Sequence, residues 1–258
     1  MIITTIKTRT FVPPQDDILK EIKRTLTRVQ ERSILVITSK VVSIWQGKCA
    51  PTTAYRDKDD VIMQEADRYL PRSYTPGAWC MHTIKNNIFI PSAGVDESNA
   101  GGYYILWPDD PQKAARTLWQ WARQTYQVKD IGIVISDSHT NPLRRGVVGI
   151  ALAYYGFRPL NDYRGTADLF GRKLKMTQTN VADGIAAAAV LVMGEGGEST
   201  PVAVAHDVPF VHFLARPFSP HKPFSSFVIE TKEDMYYPLL SAVPWRKGKK
   251  RTPKNRPA

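Results

Sequence analysis

A chain of 258 residues with 43% hydrophobic and 10% aromatic content can bury a sizeable core, as one large domain or two small ones, and does not have a disordered protein's composition. Its net charge of +11 is concentrated at one end, where Arg246, Lys247, Lys249, Lys250, Arg251, Lys254 and Arg256 place seven cations among the last thirteen residues with no acid. The remainder carries 28 basic residues against 24 acidic ones, so the body is only mildly basic and gives no general case for nucleic-acid binding.

Cys49 and Cys80 lie 31 positions apart with no CxxC pairing, which supports neither a disulfide framework nor a thiolate metal site. The start, Met1 to Lys7, is too short and too polar for a signal peptide, and no run approaches a membrane span. A cytoplasmic, reducing location is the default expectation. The basic segment 246–258 reads as a disordered, solubilising tail, with contact to nucleic acid as the alternative.

In chain order, residues 2–12 alternate loosely and predict a first strand, closed by Phe11-Val12-Pro13-Pro14. Asp16 and Asp17 open a helix whose inward face is Ile18, Ile22, Leu26 and Val29. Ser33 to Val42 predicts a buried strand that runs through Thr38-Ser39-Lys40, two hydroxyls and a cation able to meet a phosphate. A helix over Val61–Leu70 follows in a polar region punctuated by Pro71, Pro76 and Gly77.

Ile88-Phe89-Ile90 predicts a strand into Pro91, followed by Ala93-Gly94-Val95-Asp96-Glu97-Ser98-Asn99. Two acids, a serine and an amide on a turn that ends at Gly101-Gly102 are either ordinary turn formers or displayed catalytic groups. Asp109-Asp110-Pro111 opens an amphipathic helix with Ala115, Leu118, Ala122 and Tyr126 inward. Ile131–Ile135 predicts a strand ending in Ser136-Asp137-Ser138-His139, and Val147–Tyr155 is a further buried run. A helix of small residues spans 181–193 and stops in Met193-Gly194-Glu195-Gly196-Gly197, and Val202–Ala205 predicts one more strand.

Asp96, Asp137 and Glu195 each fall where an element stops. Hard divalent ions take such carboxylates together with phosphate oxygens and water, and Ser138 could add a hydroxyl ligand. Glycines around Glu195 would let backbone N–H groups approach phosphate. The sequence holds no GxxxxGK[ST] loop and no kinase motif set, so any nucleotide site is of another kind.

The AGVDESN turn, Ser136-Asp137-Ser138, Pro142-x-Arg144-x-Gly146-Val147, the Asp162-x-Arg164-Gly165 to Asp168-x-x-Gly171-Arg172 block, Val181-Ala182-Asp183, Met193-Gly194-Glu195 and Thr38–Ser43 occur in one order. On these motifs most of residues 1–205 resembles the coenzyme F420-0:γ-glutamyl ligase family. The resemblance implies an α+β fold of mixed and antiparallel sheets with packed helices, assembled as an intertwined homodimer. It implies an amide ligase that uses GTP (ATP remaining open) and two Mg²⁺ or Mn²⁺ ions, with K⁺ also open, to join L-glutamate to a deazaflavin carboxylate through an acyl phosphate.

Carried over by motif position, Asp96, Asp137, Ser138 and Glu195 are metal ligands. Ser39, Lys40, Asn99, Phe11 to Pro14 and the Met193–Thr200 loop, with Met193, Gly194, Gly196 and Gly197, hold nucleotide. His139 would take the amine's proton, and Arg144 joins the catalytic set. Two positions depart from the family pattern: Ile44 replaces a second lysine, and Thr140-Asn141-Pro142 replaces Gly-Arg-Pro. They open a pterin-derived acceptor as an alternative. The implied organisation is a catalytic region over 1–215, an extension over 216–245 and the tail. The rival from another class is a non-catalytic, nucleic-acid-associated protein acting through the tail.

Overall fold

The structure is a computed structural model that describes residues 1–214 and 227–249. The tail beyond 249 and the part of the extension over 216–226 lie outside the described residues.

The chain opens with β1 (Ile2–Ile6), shorter than the predicted 2–12 run. The strand ends because Asp16 gathers the following residues into an irregular segment, accepting from Val12 N at 3.0 Å and from Arg9 Nη2 at 2.6 Å. Asp17 caps α1 (Ile18–Thr25) by accepting from the backbone of Leu19 and Lys20, and Ile18 and Ile22 are wholly buried. The apolar run from Ser33 is split: β2 (Ser33–Thr38) ends and α2 (Ser39–Trp45) begins. Val41, Val42 and Ile44 are buried in that helix, so their hydrophobicity belongs to a helix face, which a short apolar run cannot distinguish from strand.

Next come β3 (Cys49–Pro51) and α3 (Lys58–Glu65), the latter capped by Asp57. The predicted helix over 61–70 stops at Glu65, and Arg68–Leu70 is β4. There follow β5 (His82–Lys85), β6 (Ile88–Pro91), β7 (Tyr103–Ile105), α4 (Pro111–Tyr126), β8 (Ile131–Thr140) and β9 (Val147–Tyr155). The described chain is completed by β10 (Leu160–Asp162), β11 (Gln178–Asn180), α5 (Val181–Met193), β12 (Val202–His206), α6 (Tyr237–Ser241) and β13 (Arg246–Lys247).

The main sheet has the order β1-β12-β2-β8-β9, with β2 and β8 parallel and the other pairs antiparallel. The α+β expectation of mixed sheets with packed helices agrees with this. Side chains alternate across β2: Leu35 and Ile37 pack with α1 and α4, while Ile34 and Val36 pack with α5. Helices therefore cover both faces, which is why β2 and the first half of β8 are continuously apolar.

Gly149 on β9 sits under α5, where a Cβ would stand 2.5 Å from the Ala186 carbonyl oxygen. Gly149→Ala is expected to destabilise the fold by about 1–3 kcal/mol through overpacking. A lowered urea midpoint would report it, and an unchanged midpoint would show that the helix lifts freely.

A second unit is built on the antiparallel sheet β13-β4-β5-β6, with its own core of Val61, Ile62, Tyr69, Met81 and Val95. Ile90, Trp107 and Leu152 close the seam between the units. Arg246 and Lys247, read from sequence as the start of a disordered tail, instead pair with Tyr69 and Arg68.

Candidate active site

Because β2 and β8 run parallel, their C-terminal ends lie side by side, with Thr38 opposite Ser136. The next residues therefore meet: Ser39 Oγ donates to Asp137 Oδ2 at 3.1 Å. β8 does not stop at Ile135, the end of the predicted apolar run; it continues to Thr140, with a register shift against β9 between Ile135 and Ser136. Such an irregularity re-aims the side chains that follow it. Asp137 also accepts from its neighbour's backbone, Ser138 N, at 2.8 Å and from Trp107 Nε1. Burial is the main influence on this carboxyl and raises its pKa to about 6, against the lowering effect of these three donors.

The 93–99 turn brings the second acid. Asp96 is fixed by backbone exchange with Ile105 and by Ser98 N, which donates to Oδ1 at 2.8 Å. Lys40 Nζ lies 2.6 Å from Asp96 Oδ2 and donates to Ser98 O and Oγ at 2.9 and 3.0 Å. Burial would raise the Asp96 pKa, but the lysine and the Ser98 donors outweigh it and hold the group below its usual value.

The third acid is on the glycine loop after α5. Glu195 is raised by burial, partly offset by a hydrogen bond from the Ser138 side chain and by the charge of Lys40. Asn99 Nδ2 donates to Gly196 O at 3.1 Å, joining the loop to the 93–99 turn, and Thr8 N donates to Ser199 O at 2.9 Å. Ser39, Lys40, Asp96, Asn99, Asp137, Ser138 and the whole segment 193–200 line one cleft of about 360 Å³.

The F420-0:γ-glutamyl ligase family model matches residues 6–207. The chain belongs to this family. A coenzyme F420:L-glutamate ligase of Methanopyrus kandleri is 36% identical over 210 residues, covering 75% of this chain and 81% of that protein. The ligase of the same name from Archaeoglobus fulgidus is 29% identical over 209 residues, covering 74% and 81%. That of Methanocaldococcus jannaschii is 38% identical over 128 residues, about half of each chain at 49% and 51%.

Within this family member the cleft gathers most of the residues singled out from sequence, while His139, Arg144 and Val12 to Pro14 stay outside it. His139 lines a neighbouring cavity of about 910 Å³, with its Nε2 3.2 Å from Asn141 Oδ1 and its Nδ1 buried without a partner. Trp107 lines both spaces. Arg144 sits on the exposed turn between β8 and β9, away from the cleft. Of the 11–14 segment, only Phe11 reaches the cleft wall.

The structure adds Thr8, Arg9, Ser98 and Trp107 to the lining. Ser98 stands in the 93–99 turn beside Asp96, whereas Trp107 follows a three-residue strand and carries no motif.

Among the described residues no three His, Cys, Asp or Glu side chains form a ready metal cage. The donor chemistry nevertheless suits Mg²⁺ or Mn²⁺, which are commonly held by one or two carboxylates together with substrate phosphates and waters. Asp137 and Glu195 are carboxylates whose charge burial disfavours, and a cation between them and a triphosphate would relieve that penalty. Asp96 already has a cation in Lys40.

Proposed function

We propose that the chain is an amide-forming ligase that joins L-glutamate to a carboxylate acceptor at the expense of GTP, through an acyl phosphate. The observation that supports it most is the convergence of Asp96, Asp137, Ser138 and Glu195 with Lys40 and the glycine loop on one cleft. Divalent ions bound there would neutralise the triphosphate and polarise its terminal phosphoryl group. Ser39 and Trp107 hold the Asp137 carboxylate still. Lys40 presents a positive charge to phosphate oxygens, and the 193–197 loop offers backbone N–H groups to them.

In chemical terms the acceptor carboxylate attacks the γ-phosphorus and GDP leaves. The glutamate amine then displaces phosphate from the acyl carbon and loses a proton. No protein nucleophile is required, because the acceptor carboxylate is itself the nucleophile and the cleft's cations and N–H groups stabilise the transferring charge. In this reading His139, across Trp107, is the group available to accept the amine's proton.

By the names of its relatives, the first acceptor to test is F420-0. A second reading rests on Ile44, an apolar residue lining the cleft where the family pattern carries a lysine, and on the lost arginine at Thr140-Asn141. A pterin-derived acceptor with less negative charge fits those two changes. The proposal also has the chain working as a homodimer, and Leu143, Leu169 and Phe170 expose apolar side chains that a second copy would cover.

The test is mass spectrometry of each acceptor incubated with GTP, Mn²⁺ and L-glutamate. One glutamyl unit gained, with one phosphate released, is expected. No gain on either acceptor class from protein that binds nucleotide and metal would reject the proposal.

The rival, tail-driven nucleic-acid binding is separated by deleting residues 250–258, which spares the strand at Arg246–Lys247. Turnover of the shortened chain is expected within about twofold of the parent, since the deletion removes none of the cleft residues found among the described residues. A deletion that abolished turnover would favour a tail-dependent function.

A further inference from the structure

Trp107 is 2% exposed and packs with Ile90 and Leu152 at the seam between the two units. Its indole touches three functional parts of the molecule. The Nε1–H donates to Asp137 Oδ2, the same oxygen that accepts from Ser39 Oγ. Its edge lies against Gly94, in the turn that carries Asp96: a Cβ on that glycine would stand 2.0 Å from Nε1. On its face, Lys85 Nζ sits 5.5 Å from the ring centroid.

Lys85 is itself buried, at 7% exposure, and its ammonium donates to Glu65 Oε2 at 2.7 Å. A cation over the indole face is attracted by the ring's quadrupole and resists rotation of the ring. Neither Lys85 nor Glu65 lines the cleft, and neither belongs to the family motifs.

An ionised carboxylate offers about four acceptor positions, two on each oxygen. At Asp137 the Oδ2 pair is taken by Trp107 and Ser39, and one position on Oδ1 is taken by Ser138 N. One acceptor position is left, on Oδ1. Without the indole N–H, Oδ2 would keep a single side-chain donor and the carboxylate could turn about its Cβ–Cγ bond.

We propose that Trp107 is a positioning residue that holds Asp137 with one oxygen free for a divalent cation, and that Lys85, anchored by Glu65, holds the indole. This rests on the metal reading of Asp137 given above. It assigns a role in that site to a residue of the seam and to two residues of the second unit, so the small sheet is part of the catalytic apparatus.

The experiment is calorimetric titration of Mn²⁺ into the full chain with GTP present and acceptor absent, for the parent and for Trp107→Phe. The phenyl ring keeps most of the packing and removes the donor. Loss of an outer-shell partner of a metal ligand commonly weakens affinity about 10–100-fold. A loss of about tenfold or more is therefore expected, with turnover recovering toward the parent's value at saturating Mn²⁺. That split between metal requirement and maximal rate would not follow from a merely structural role.

Affinity within twofold of the parent in folded Trp107→Phe would overturn the proposal. Should that variant not fold, site-specific replacement by the benzothienyl analogue, which matches the indole's size and lacks its N–H, gives the same two outcomes. Lys85→Met is expected to weaken Mn²⁺ binding by about threefold, and an unchanged value would remove Lys85 from the assignment. A parent protein that takes up no Mn²⁺ would reject the metal reading itself, which separates that failure from the failure of Trp107's role.

Discussion

Asp137→Asn is expected to lower glutamyl transfer by about 10³-fold or more and to leave the folded structure in place. The magnitude follows from the several kcal/mol that a cation clamp on a transferring phosphoryl group supplies, at about 1.4 kcal/mol per factor of ten. An amide of the same shape fills the same space but carries no charge, and one of its two heavy atoms is no longer an acceptor.

Stability is expected to move little at neutral pH, because two changes oppose one another. The amide oxygen can keep the bond from Ser138 N, but its NH₂ then faces the Trp107 N–H, a conflict worth about 1–3 kcal/mol in a buried site. Against that, the parent carries a buried carboxyl with a pKa of about 6, roughly two units above an ordinary aspartate, which at neutral pH is a penalty on the order of 3 kcal/mol.

The sign gives a further check in the metal-free protein. The folded parent keeps its proton up to about pH 6, whereas the unfolded chain releases it near pH 4. The parent's stability from this site therefore falls as pH rises between those values, and the variant's does not. Denaturant midpoints should show the variant weaker at pH 4 and close to the parent at pH 7. Normal turnover in Asp137→Asn, with glutamate transfer still coupled to nucleotide hydrolysis, would show that the carboxylate has no place in the reaction.

The elements that sequence patterning located best are those whose ends carry their own chemistry. Helix α5 runs over the span expected, 181–193, because Asn180 caps one end and Gly194, with φ +80°, stops the other. Helix α4 starts where Asp110 caps it and Pro111 fits the first turn. Strand β8 extends past its apolar run because Ser136 to Thr140 pairs fully with β9 through its backbone, while polar side chains at 136–138 line the cleft and give no apolar signal.

The pairing of Arg246 and Lys247 was invisible for a different reason. Backbone groups make it, with Gly248 N to Asp67 O and Lys249 N to Met63 O extending the contact, and backbone pairing does not depend on a cationic composition. The site itself was legible as chemistry but not as geometry. Positions 96, 137 and 195 are too far apart in the chain for spacing to bring them together; their places at element ends and the resemblance of ordered motifs suggested the grouping, and neither supplies its geometry. Trp107 lay outside any motif, so its contacts with Asp137 and Gly94 could be found only in three dimensions.

The paired substitution Leu169→Asp with Phe170→Asp is expected to convert a dimer into monomers and to take activity with it. The segment between β10 and β11 is ordered by its own backbone, with Leu174 N to Thr166 O and Asp168 N to Arg172 O, and by the Asp162–Arg164 ion pair at 2.6 Å. Its motif residues are thus used to shape an arm. The arm shows its apolar side chains to solvent: Leu169 is 99% exposed and Phe170 97%, and Leu143, beside Arg144 on the β8–β9 turn, is 99% exposed.

Large apolar side chains set on a shaped arm suit burial against a second copy better than exposure to water. Burying each contributes about 1.5–3 kcal/mol, so replacing two by aspartates removes roughly 3–6 kcal/mol per subunit and roughly 6–12 kcal/mol over both copies before charge repulsion is counted, or about 10⁴-fold or more in the dimer dissociation constant. Light scattering at micromolar protein would read the change in mass, while circular dichroism should be unaltered because neither residue contributes to a core. A dimer that survives both aspartates at micromolar concentration would place the subunit contact elsewhere, and a parent protein that is already monomeric and active would remove the dimer from the proposed function.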